Sequence, residues 1–82
     1  MNKHFILFHL AEAGNAIRNT IEEIKSDPEY EYGNYRVDIE HIYHHVNSAW
    51  NAKDATDAAA KECSQEDFDR WRQFPDPSEF SF

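Results

Sequence analysis

The sequence predicts an all-α protein: an antiparallel two-helix hairpin with a short C-terminal helix packed across its open end, and a face suited to dimerising into a four-helix bundle. Three observations carry this expectation. Apolar residues recur at three- and four-residue intervals through two long segments. A stretch holding Pro28, Gly33 and two tyrosines separates them. A helix-start signal at Ser64 then precedes Phe68 and Trp71, three positions apart on one helical face.

The first segment reads Leu7, Leu10, Gly14, Ile17, Ile21, Ile24, a run of a and d positions with one glycine in it. It predicts a helix over about 3–26. The loop covers 27–34, where Asp27-Pro28 and Gly33-Asn34 each interrupt the pattern. The second segment reads Ile39, Ile42, Val46, Ala49 and continues in phase through Lys53, Thr56, Ala60 and Cys63. With alanines at 52, 55, 58, 59 and 60 sustaining helix propensity, it predicts one helix over about 35–61. A short helix over about 65–73 follows, its first turn loaded with Gln65, Glu66 and Asp67. Phe74-Pro75 ends it, and the tail 74–82, with Phe80 and Phe82, is expected to dock on the body of the single domain 1–82.

A hairpin centred on residues 31–32 would set Ile24 against Ile39, Ile21 against Ile42 and Ile17 against Val46. Gly14 would then make room for the Trp50 indole. Phe5 and Phe8 point away from this stripe and need a cover, which Phe68, Trp71, Phe74 and Phe80 can supply. The small side chains Ala13, Ala16 and Thr20, with Ala49, Ala52, Thr56 and Ala59, form another face, the one on which a second copy would pack.

Composition narrows function. The 82 residues carry 8 Lys+Arg against 16 Asp+Glu, a net charge of −8. The basic residues are scattered, which speaks against direct nucleic-acid binding and against an anionic membrane surface. Two glycines and one cysteine exclude a disulfide scaffold and a phosphate-cradling glycine loop. Lys3 and the apolar run Phe5–Phe8, followed by Ala11-Glu12-Ala13, have the outline of a weak secretory signal. The helical repeat continues through the would-be cleavage point, so the segment reads as helix and the expected location is cytoplasmic.

Five histidines invite a metal reading. His41 and His45 are spaced by four, which stacks two imidazoles on one helical face. By helical phase His44 points to solvent. Zinc wants three or four ligands, and no third is evident from spacing alone. Cys63, in the core phase near a helix C-terminus, reads as an inert packed thiol. No nucleophile elbow or dinucleotide fingerprint is present, so no enzyme and no cofactor are expected. Tyr30, Tyr32 and Tyr35, set beside carboxylates at the hairpin tip, are candidate partner-binding residues.

The resulting expectation is a small acidic non-catalytic protein–protein interaction module whose partner is another protein or a second copy of itself. Three competitors stand beside it: a metal-binding helical bundle acting through the histidine cluster, an acidic decoy of nucleic acid that occupies a basic protein, and, least supported because the sequence shows neither a nucleophile nor an oxyanion site, a catalytic domain acting through the histidines.

Overall fold

A computed structural model describes residues 1–81. Helix α1 spans Lys3–Ser26 and α2 spans Tyr32–Asn51, packed as an antiparallel hairpin. Two short helices, α3 (Asp57–Glu62) and α4 (Gln65–Trp71), and a 3-10 turn at Pro77–Glu79 complete the chain.

Local chemistry sets each boundary. The Asn2 side chain accepts the Phe5 N–H and caps α1. At the other end, the Asp27 carboxylate accepts the Glu29 N–H, forming a tight turn with Pro28 inside it. Helix α2 starts earlier than the Gly33-Asn34 break suggests. The Asn34 side chain reaches back to accept the Glu31 N–H, so glycine and asparagine lie inside the first helical turn.

The long second helix expected over 35–61 is two helices. α2 stops at Asn51, and the start of the chain occupies the gap: the Asn2 N–H donates to the Lys53 carbonyl (2.6 Å) and its side-chain amide to the Ala55 carbonyl (2.9 Å). Thr56 then caps α3 by accepting the Ala59 N–H. Strong alanine propensity is overruled here by two specific hydrogen bonds and a local cap. Cys63 adopts a left-handed conformation (φ 44°) that ends α3, and its thiol is exposed rather than packed.

The face-to-face setting of the hairpin differs from the expected one. His9 lies against His45, where a turn centred on residues 31–32 would have set it against Asp54. The seam between α1 and α2 is built from His9, Ala13 and Thr20 on one side and His45, Ser48, Ala49 and Ala52 on the other, all buried. The small-residue face expected to receive a second copy is thus the contact within one chain. Ile17, Ile21, Ile24 and Val46, expected to pair across the hairpin, are exposed. Gly14 does not accommodate Trp50; a side chain there would meet only the Arg18 guanidinium. Small side chains let the two helix backbones approach closely, which the branched stripe would prevent.

α4 closes the open end as expected. The buried Trp71 ring sits edge-on to Phe5 (centroids 5.5 Å), and Phe68 covers His44 (4.9 Å). Asn47 and Asn51, one turn apart on α2, clip the end of α4: Asn47 donates to the Arg72 carbonyl (3.0 Å), Asn51 to those of Trp71 (2.8 Å) and Gln73 (2.6 Å). These carbonyls have no partner within their own helix. The tail folds back along α2, with Phe80 on Trp50 (4.8 Å) and the Trp50 indole N–H donating to Glu79 (2.6 Å). Phe82 lies outside the described residues.

Two substitutions test this account. Trp71→Ala should cost about 3–5 kcal/mol in urea unfolding, since it empties the largest buried side chain of the closed end. Ala49→Leu should cost about 1–3 kcal/mol by forcing the seam apart, whereas Ala58→Leu on exposed α3 should change stability by less than about 0.5 kcal/mol.

Candidate functional site

Two features stand out, one inside the seam and one outside it. In the seam and along its edge, His9, His41, His44 and His45 form a cluster of imidazoles. Ring centroids of His45 lie 5.4 Å from His9, 4.7 Å from His41 and 4.7 Å from His44. The Nδ1 atoms of His9 and His45 are 3.1 Å apart, a hydrogen bond in which one ring must donate and the other accept. The His9 Nε2 is buried without a partner. The less costly arrangement has His9 donating, because its Nε2 then bears a lone pair instead of an orphaned N–H.

A charged His9 is disfavoured. Burial pushes its pKa down to about 4, and the neighbouring His45 and His44 push in the same direction. His44 and His45 are also lowered, first by burial and then by their histidine neighbours. His44, expected at the solvent face, is half-buried beneath Phe68, because α4 covers that side of α2. His41 is exposed. The expected pair His41 and His45 does come together, with rings perpendicular, but His45 directs its Nδ1 at His9. Among the described residues, no three His, Cys, Asp or Glu side chains are grouped so that they could hold a metal ion. His9 was the member that spacing could have revealed: with Ala13, Ala16 and Thr20 it lies on the seam's own three-four repeat.

The hairpin tip divides the three tyrosines. Tyr30 turns inward, half-buried, and its hydroxyl donates to Asp38 (2.8 Å). Its pKa is pushed up to about 12, by burial first and then by that bond. Glu23 is raised as well, chiefly by a hydrogen bond shared with Asp38. Tyr30 therefore plugs the closed end, while Tyr32 and Tyr35 are exposed.

Outside the seam lies an apolar face. Leu7, Leu10, Ile17, Ile21 and Ile24 on α1 are 42–64% exposed, and Tyr35, Tyr43 and Val46 on α2 are 43–48% exposed. Ile39 and Ile42 are half-buried between them. On each helix this stripe lies about 100° around the axis from the seam. Because the helices run antiparallel, the same rotation leads to the same side, so the two stripes form one continuous surface. α4 occupies the opposite side, against Phe5 and His44. At one edge the face runs into an apolar cleft between α2 and the tail, lined by Val46, Trp50, Phe74 and Phe80. No stripe position between Leu7 and Ile24 or between Tyr35 and Trp50 is a charged residue, and the Arg18 guanidinium reaches over the stripe at Gly14. Isolated exposed leucines and isoleucines are ordinary; a contiguous, predominantly apolar surface across two helices is a mark of an interaction site.

Compared with known proteins, the chain matches no family model, no curated protein and no solved structure. Among the described residues, no helix is long and apolar enough to cross a membrane.

The histidine cluster makes a pH prediction with a definite sign. His9 is held neutral in the folded chain, with a pKa near 4 against 6.5 when unfolded. Protons therefore bind the unfolded chain more readily, so stability is complete above about pH 6.5 and falls as pH drops toward 4. The loss from His9 should be on the order of 2 kcal/mol. Urea midpoints between pH 7.5 and 4.5 should reveal it, and His9→Leu should flatten the slope in that window. An unchanged slope in the variant would assign the acid sensitivity elsewhere.

Proposed function

We propose that this chain is a small acidic, non-catalytic protein–protein interaction module that works through the apolar face of the hairpin. The observation supporting this reading is the placement of the apolar repeat. Its branched side chains stand outside the intramolecular seam and on one side of the hairpin, where no other element among the described residues covers them. Partly exposed leucines and isoleucines of this number leave on the order of 5 kcal/mol of burial energy unclaimed, far more than a protein of this size can waste.

Tyr32 and Tyr35 extend the face at the hairpin tip, where ring area and a hydroxyl suit a partner contact. Tyr30 contributes indirectly, by fixing the tip through Asp38.

Photo-crosslinking in the source cell tests the reading. A benzophenone side chain replacing Ile21 should yield one discrete protein adduct, abolished by Val46→Asp on the neighbouring helix. The same probe at Lys61, on α3, should yield none. Equal and diffuse labelling at both positions would overturn the proposal.

A further inference from the structure

We infer that the occupant of the apolar face is a second copy of this chain, giving a two-fold-symmetric four-helix bundle. This inference rests on the reading of that face as an interaction surface and goes on to name its partner.

Four observations point to a copy rather than to a different protein. The first is the poverty of the chain's own core. Among the described residues its buried apolar side chains are Ala13, Ala49, Ala52 and Trp71, with Phe5, Ile6 and Phe68 only half-buried beside them. A chain of 82 residues without a disulfide needs more than three alanines and one indole. A face whose covering completes the core must be covered whenever the chain is folded, and the partner always present with the chain is the chain itself.

The second is area. The exposed parts of the stripe side chains sum to on the order of 700 Å², close to the ~800 Å² per partner of a standard interface. The third is shape. Each stripe keeps three-four spacing along a long helix, and two antiparallel helices presenting such stripes side by side are one half of a four-helix bundle. A two-fold axis through the face sets that surface against itself. The fourth is Gly14. It costs a helix interior about 1 kcal/mol relative to alanine, no intramolecular contact requires it, and it lies on the stripe between Leu10 and Ile17. There only the flexible Arg18 side chain overlies it, and swinging that side chain aside would let a partner backbone approach closely.

Charge supplies a way to discriminate. Each chain carries −8, so two copies repel at long range while their apolar faces attract. Added salt screens the repulsion and should tighten a homodimer, whereas it would weaken association with a basic partner.

Sedimentation equilibrium of the full chain in about 0.05 M and about 0.5 M salt decides the matter. The expected mass is twice 9.7 kDa, with tighter association at the higher salt. Ile21→Asp should weaken association by about 100-fold or more, since the change enters the interface twice, and Lys61→Asp should leave it within about twofold. Should Ile21→Asp fail to fold, a spin label at Arg18→Cys in a Cys63→Ser chain gives an independent reading. A dipolar distance between copies should appear and vanish on dilution with unlabelled chain. A folded 9.7 kDa monomer at every concentration, with no inter-copy distance, overturns the inference. In that case a crosslinked adduct of different mass at Ile21 would preserve the interaction reading with another protein, and the absence of any adduct would remove both.

Discussion

The whole architecture depends on a hairpin seam made from small and polar side chains. Ala13, Thr20, Ser48, Ala49 and Ala52 bring the backbones of α1 and α2 close, and His9 meets His45 across the contact. Once that setting is chosen, everything else follows by rotation about the two helix axes. One flank of the seam carries Phe5, Phe8, His44, Asn47 and Asn51, and there α4 docks. The other flank carries the branched apolar stripe. A hairpin zipped through its isoleucines would bury more area inside one chain, but it would turn Ala13, Thr20 and Ala49 outward and carry the aromatic and asparagine contacts of α4 away from their helix.

The seam also makes the interior polar. A hydrogen-bonded pair of imidazoles stands where an ordinary hydrophobic core would place two apolar side chains. Such a pair specifies register well, because a slip of one turn leaves a buried nitrogen unpaired on each side. It contributes little net stability, since both rings have left water to make one bond. The hydrogen bonds that tie Asn2 to Lys53 and Ala55, and α4 to Asn47 and Asn51, have the same character: they fix where the elements sit. Position in this fold is set by polar contacts, and little of the burial energy expected of a small domain is found between its own helices.

Much of this was legible in the residues. The repeat in 3–26, the punctuation at Asp27-Pro28 and the cap at Ser64 led directly to α1, the turn and α4. Docking of Phe80 followed from the improbability of a free aromatic tail. The rotational setting of the hairpin was not legible, for a physical reason. A three-four repeat says that a face is to be covered and is silent about which molecule covers it. Two competing repeats ran along α1, one of branched residues and one of His9, Ala13, Ala16 and Thr20, and hydrophobicity alone ranks the wrong one first. The break at 52–56 was hidden because its cause, Asn2, is about fifty residues away in sequence. His44 was misplaced by the same token: its cover comes from α4, not from its own helix.

A surface divided between two helices exists only while those helices stay paired. Leu10 and Ile17 are brought beside Ile39, Ile42 and Val46, and Ile21 and Ile24 beside the hairpin tip, by a seam that contains His9 and His45, whose rings burial biases toward the neutral form. The same small residues that leave the isoleucines uncovered also give the hairpin too little burial of its own to resist opening. Covering the face from outside and closing the seam from inside are therefore one equilibrium: whatever stabilises the first stabilises the second by the same free energy. The polarity of the seam and the apolarity of the outer face are two consequences of a single choice of which side of each helix faces its partner.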